Sequence, residues 1–187
     1  MTRQLRRRGE TGLVGRKAPR GSLAWIAEIG HELSIALGLS APILALTGVL
    51  EPIGALDEPG AHIAGLVFYA AGLVGVIVAQ SAMGDSWRIG TDPAERTELV
   101  TNGPFELVRH PIYSALIVLY LGLALLVPSI VALAAPILFW LAAEGEVRLI
   151  EEPHLARMHG PAWSNYAART GRFVPRIGRN EGAESGQ

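Results

Sequence analysis

The sequence contains no cysteine, which excludes disulfides, thiolate metal sites and a cysteine nucleophile. Charge is scarce: Asp, Glu, Lys and Arg make up 18% of the 187 residues, against roughly a quarter in a soluble domain. Aromatic residues account for only 6%, so the apolar mass is aliphatic and small. The patterns HExxH, GxSxG and the P-loop are absent, and the five histidines lack metal-ligand spacing; no metal is expected. Arg6-Arg7-Arg8 is followed by Glu10, Arg16, Lys17 and Arg20 rather than by an apolar stretch, so this segment lacks the form of a secretory signal. Residues 1–30 read as a basic cytoplasmic tail.

What the chain does have is uncharged length. Half of it is hydrophobic, with a mean hydropathy of +0.32. Residues 33–50 run for 18 positions without charge, close to the ~20 needed to cross ~30 Å of hydrocarbon. Pro42 kinks this span, and neighbouring helices can satisfy the carbonyl it frees. After a short acidic turn (Glu51, Asp57, Glu58), residues 61–84 form a second span. Its only ionisable group is His62, and its Ala71, Gly75 and Ala79 form a small-residue stripe suited to close helix contact. Residues 111–143 are 33 positions without Asp, Glu, Lys, Arg or His. That is ~50 Å of helix, and Pro128-Ser129 interrupts it, so two spans are expected, at 111–127 and 129–147. Residues 85–110 read as a loop and 153–170 as a C-terminal interfacial helix with Leu155, Met158, Trp163, Tyr166 and Ala167 on its apolar face. Residues 177–187 read as a disordered tail, leaving one membrane domain over 31–176.

The cations fix the orientation. Seven Lys/Arg lie in residues 1–30, three in 85–109 and six in 148–179, with none in the other two connections. The positive-inside rule then places both termini and the 85–109 loop in the cytoplasm. A single span across 111–147 would put Arg109 and Arg148 on opposite sides. The expected fold is an all-α integral membrane protein of about four transmembrane helices, with a tight hairpin between spans three and four. The basic residues are accounted for by topology, so no nucleic-acid partner is expected.

Polar groups gather at the cytoplasmic ends of the spans. One cluster is Thr101-Asn102-Gly103-Pro104-Phe105-Glu106-Leu107-Val108-Arg109-His110-Pro111-Ile112-Tyr113; the other is Glu144, Glu146, Arg148, Glu151 and Glu152. Glu144, Arg148 and Glu151 fall at i, i+4 and i+7, one helix face. Pro153 crowds the carbonyl of Leu149 and lacks an N–H, so the helix should kink or end near Glu151–Glu152. Carboxylates and open carbonyls at a membrane surface would suit a cationic, amine-bearing ligand, and an apolar cleft would admit a lipophilic partner. On local sequence alone, plainer readings stand beside this one. Arg109-His110 could anchor a span at the interface, Glu151-Glu152 with Arg148 could be a solvated ion-pair cluster, His31 and His62 could be interfacial, and Trp163 and Tyr166 could sit at headgroup level.

Taken in order, residues 99–113 (LVTNGPFELVRHPIY) and 148–175 (RLIEEPHLARMHGPAWSNYAARTGRFVP) resemble the isoprenylcysteine carboxyl methyltransferase family and its phospholipid methyltransferase relatives. The resemblance covers the C-terminal half, about residues 97–176. It implies a membrane methyltransferase using S-adenosylmethionine. By it, Leu99, Val100, Gly103 and Phe105 would line the adenosine part of the cofactor, and His110, Pro111 and Tyr113 would continue the pocket. Glu151 would bind the methionine end, Glu152 would support it in the catalytic centre, and Arg148 would meet a substrate carboxylate. Many relatives have Gly two residues after the motif's Tyr, where this chain has Ala115.

Methyl transfer from a sulfonium is an in-line displacement governed by proximity and orientation. A carboxylate or thiolate acceptor needs no strong base, whereas an ammonium must first lose a proton, to Glu151, Glu152 or His110. The expected acceptor is lipophilic or small, a carboxylate, thiol or amine met at the cytoplasmic membrane face, with a lipid, an isoprenoid, a small thiol and a fatty acid all open; membrane lipid is an expected partner. Two alternatives remain from sequence: an NADPH-dependent reductase of the sterol-reductase type, which shares an Arg-His-Pro-x-Tyr segment but not the doubled glutamate, and a non-catalytic membrane scaffold.

Overall fold

A computed structural model describes residues 19–84 and 98–179. Among these residues the chain is helical, with no strand beyond a single isolated parallel bridge between Val108 and Gly171. Helix α1 (Leu23–Leu46) starts where Ser22 accepts a hydrogen bond from the Trp25 N–H at 3.2 Å, a side-chain N-cap. It begins ten residues before the uncharged stretch, since Glu28, His31 and Glu32 limit hydropathy but not helicity. Residues 23–30 therefore belong to a helix, not to the basic tail.

Helix α2 spans Pro59–Met83. A single turn, α3 (Pro104–Leu107), leads into α4 (Pro111–Leu126), and α5 (Ile130–Glu146) follows a turn at Pro128-Ser129. Ser129 caps α5 by accepting from the Ala132 N–H at 3.3 Å. Helices α1, α2 and the continuous helix from Ile130 to His159 are long and apolar enough to cross a membrane, and α4 is a shorter apolar helix of 16 residues.

The four long helices are ordered α1–α5–α4–α2: α1 packs on α5, α4 on both α5 and α2. Small residues allow this closeness. Gly65, Gly72 and Ala79 of α2 are buried, and a Cβ on Gly72 would meet the Leu119 backbone N at 2.5 Å. The buried stripe thus steps by seven residues, whereas Ala71 of the expected four-residue stripe is exposed. The reason is geometric: a contact maintained along a supercoiled pair follows a 3.5-residue repeat. On the other side Ala41, Ala124 and Ala132 meet where α1, α4 and α5 converge. At one end the α1–α2 connection crosses the α4–α5 turn, with Ile53 N–H donating to the Pro128 carbonyl at 2.6 Å.

At the other end, the helix does not end at Pro153 but runs on to His159. Five residues, Val147–Glu151, form a π-turn, and the Glu152 N–H reaches back to the Val147 carbonyl. Helix α6 (Glu152–His159) then continues the same rod, and α7 (Pro161–Arg169) turns back after Gly160, whose φ of +52° favours glycine. The proline leaves Leu149 without its usual donor, and the widened turn accommodates the mismatch. Trp163, Tyr166 and Ala167 are buried against Leu99 and Leu155: α7 folds under the 98–110 segment, and Tyr166 donates to the Phe105 carbonyl at 2.7 Å.

Candidate active site

The segment Val108–His110 is extended and lies beside the chain after α7. Arg109 N–H donates to the Gly171 carbonyl at 2.8 Å and His110 N–H to the Arg172 carbonyl at 3.1 Å. Pro111, which has no N–H to lose, opens α4 immediately afterwards. This pairing sets the two motif segments side by side.

The Arg109 side chain is fully buried. Its Nε and Nη2 donate to Glu152 Oε1 at 3.0 and 2.8 Å, Nη1 donates to the Ala167 carbonyl at 3.0 Å and to that of Thr170, and Nη2 also donates to the Gly178 carbonyl at 2.8 Å. All five guanidinium donors are used. Two of the acceptors are open carbonyls at the C-terminus of α7, where a cation is favourable. Arg172 completes the cage around the carboxylate, donating from Nε to Oε1 at 2.9 Å and from Nη2 to Oε2 at 2.8 Å. Burial raises the Glu152 carboxyl, but His110, Arg172 and Arg109 together outweigh it and hold it well below the usual carboxylate range.

Glu151, one residue earlier, has a different environment. Its side chain is 28% exposed, and Oε2 lies 3.5 Å from His110 Nδ1. His110 itself is buried, with Nε2 3.5 Å from Glu152 Oε1. The imidazole therefore sits between the two adjacent carboxylates. Arg148 is 56% exposed and pairs with Glu144 one turn back. The expected shared face of Glu144, Arg148 and Glu151 is broken after its first step. The π-turn changes the angular spacing, so Glu151 turns toward His110 while Arg148 stays on the outer face.

Other expected positions surround this centre. Leu99 packs on Trp163 and Tyr166, and Val100 is half-buried. Gly103 occupies a left-handed position, φ +60°, just before α3. Phe105 is buried with its carbonyl held by Tyr166. Tyr113 lies within ring-contact distance of His110, His31, Phe139 and Phe173, 5.9–6.2 Å between centroids.

A sequence model of phospholipid methyltransferases matches residues 61–162, more than half of the chain, from α2 to the start of α7. The chain belongs to the phospholipid methyltransferase family. It is 35% identical over 107 residues to the nickel-cobalt-cadmium resistance protein NccN of Alcaligenes xylosoxydans xylosoxydans, covering 57% of this chain and 49% of that protein. It is 32% identical over the same length to the cobalt-zinc-cadmium resistance protein CzcN of Cupriavidus metallidurans, 57% of this chain and 48% of that one. To the phosphatidylethanolamine N-methyltransferase of Schizosaccharomyces pombe it is 43% identical over 65 residues, 35% of this chain and 7% of the enzyme. The chain thus spans about half the length of the two resistance proteins and a small part of the fungal enzyme. No solved structure matches it.

Within the family frame, the residues that sequence patterning undervalued come into view. Arg172 reads as a topological cation but is buried on Glu152. Thr170, Gly171, Phe173 and Gly178 act through backbone carbonyls or ring contact, which no residue-type signal reveals. His31 reads as interfacial, yet its side chain is 19% exposed and lies 3.3 Å from Glu146 through Nδ1. His62 pairs with Asp57 at 3.2 Å near the opposite end, where both are about 40% exposed. Arg88 and Arg96 lie outside the described residues.

Proposed function

We propose that this phospholipid methyltransferase family member transfers a methyl group from S-adenosylmethionine to the amine of a membrane lipid, at the cytoplasmic end of its helices. The observation that carries the reading is the division of labour between two consecutive glutamates. Glu152 is saturated by two guanidinium groups, and Glu151 keeps an exposed carboxylate beside His110. A partly open carboxylate with no guanidinium on it is the group that the α-ammonium of the cofactor's methionine end requires. The donor set therefore fits.

S-adenosylmethionine supplies a methyl group already activated on sulfur, so this chain's own work is binding and alignment. Glu151 would hold the ammonium end. Leu99, Val100, the Gly103 turn, Pro111 and Tyr113 would bound the nucleoside, with buried Phe105 as the wall behind them. Glu152 would act on Glu151 through position, since Arg109 and Arg172 lock the π-turn on which both stand.

Charge favours the amine over the other acceptor classes. Among the described residues, the guanidiniums of Arg109 and Arg172 are committed to Glu152 and backbone carbonyls, and that of Arg148 to Glu144. Beside Glu151 and Glu146 an anionic acceptor would meet carboxylates whose neighbouring guanidiniums are already paired, while an ammonium would find a favourable charge. The membrane orientation, with both termini cytoplasmic, rests on the cation distribution. Purified protein in vesicles containing phosphatidylethanolamine, given methyl-labelled S-adenosylmethionine, should label that lipid. Label appearing only in fatty acids or thiols, or none at all, refutes the reading.

A further inference from the structure

The family match begins at residue 61, so helix α1 lies outside it, yet α1 brings side chains to the same end of the molecule as the Arg-His-Pro turn. His31 of α1 faces Glu146 of α5, Nδ1 to Oε2 at 3.3 Å, with the carboxylate 25% exposed. The phenol of Tyr113 from α4 faces the same carboxylate. The His31 ring stacks on Tyr113 at 5.9 Å and lies 5.1 Å from Phe139. Tyr113 in turn contacts the ring of His110, whose buried Nε2 has no hydrogen-bond partner and whose Nδ1 faces Glu151. The groups facing Glu146 are Glu28 and His31 from α1, Tyr113 from α4, His110 at its start, and Glu151 from the π-turn. Two partly exposed carboxylates, Glu146 and Glu151, therefore border one aromatic cluster from two sides.

We infer that Glu146 is the proton acceptor for the lipid amine, held in position by His31 and Tyr113. The inference rests on the methyltransferase reading above and adds a second carboxylate with its own task. Glu151 binds the donor's ammonium and is thereby occupied. Glu152 is locked by two arginines and has no lone pair turned to a substrate. Glu146 has only a histidine and a phenol, both able to donate to it while it is ionised, and it remains open to solvent.

The step balances as follows. The Glu146 carboxylate takes one N–H proton from the ammonium headgroup, freeing the nitrogen lone pair. That pair forms the new C–N bond as the C–S bond of the sulfonium donor breaks, and the C–S electron pair stays on sulfur as a neutral thioether. The product is the N-methylated ammonium, and the carboxylic acid returns its proton to water at the exposed rim. His31 is a positioning residue: its Nδ1, 3.3 Å from Oε2, orients the carboxylate.

The test uses the full chain in vesicles of phosphatidylethanolamine with S-adenosylmethionine. Glu146→Gln keeps the shape but cannot take a proton. It should melt like wild type and bind S-adenosylmethionine with unchanged affinity by calorimetry, while methyl transfer falls on the order of 10²-fold. The rise of log kcat on the acid side of the wild-type pH profile should disappear, and Glu146→Asp should restore part of the rate. His31→Ala should lower kcat for transfer with KM for the lipid and affinity for S-adenosylmethionine little changed, because the carboxylate is no longer held in position. A Glu146→Gln protein that binds donor and transfers at the wild-type rate overturns this assignment and leaves the methyltransferase reading standing. Wild-type protein that fails to bind the donor overturns both.

Discussion

Arg109 and Glu152 are joined by a buried ion pair, Nη2 to Oε1 at 2.8 Å, although 43 residues separate them in sequence. The pair links the start of α4 to the start of α6, and its guanidinium also ties down the end of α7. Removing either partner strands a buried charge, which typically costs about 3–5 kcal/mol. Arg109→Ala and Glu152→Ala should both sharply lower the melting temperature in detergent. Arg109→Lys should recover little, since an ammonium cannot reproduce five forked donors. Near-wild-type melting of the lysine variant would contradict the structural role.

The neighbouring glutamate should behave in the opposite way. Glu151→Gln removes a partly exposed charge and should leave the melting temperature within the spread of wild type. Its S-adenosylmethionine dissociation constant should rise about 10–100-fold, the equivalent of one charge-assisted hydrogen bond at about 1.5–3 kcal/mol. Calorimetric titration on folded protein checks this, and unchanged affinity would remove Glu151 from the donor site.

Acid should weaken the fold through Glu152. Unfolded, this carboxyl takes up its proton near the ordinary 4.5; folded, it stays ionised to much lower pH. Between those limits the unfolded chain binds the extra proton, so stability rises with pH. The stabilisation is complete at neutral pH and is lost progressively from about pH 5 downward. Melting curves should show the gap between wild type and Glu152→Gln closing as pH falls. A gap that widens in acid would have the wrong sign.

Close packing of α2 on α4 gives a further expectation. A side chain at Gly72 would collide with the Leu119 backbone, and overpacking of this kind costs about 1–3 kcal/mol or more. Gly72→Val should lower thermal stability, whereas Ala71→Val on the exposed side of the same turn should not. Thermal melts of the pair distinguish the seven-residue contact stripe from the four-residue one.

Much of this molecule was legible in sequence because hydropathy and charge obey the membrane's own constraints. The two-span interpretation of residues 111–147, decided by Arg109 and Arg148, corresponds to α4 and α5. Three features escaped for separate physical reasons. Helix α1 extends through Glu28 and Glu32 because helix formation tolerates charges that hydropathy counts as breaks. Pro153 follows a widened turn and the helix runs on where it was expected to kink or end, since the neighbouring turn could absorb the missing hydrogen bond by lengthening. The carbonyls of Ala167, Thr170 and Gly178, which hold Arg109, belong to residues whose side chains carry no signal. His31 was passed over because a lone histidine at a span's edge reads as interfacial until Glu146 and Tyr113 are placed beside it.

The Arg109 cage also has a history in time. Synthesis delivers Arg109 before any of its side-chain or carbonyl partners: Glu152 comes 43 residues later, Ala167 comes 58 later and Gly178 comes 69 later. A cation bound for complete burial is therefore made before every group that buries it. The cage is complete only once residue 178 has been made, and a nascent chain stopped between Arg109 and Gly178 lacks part of it.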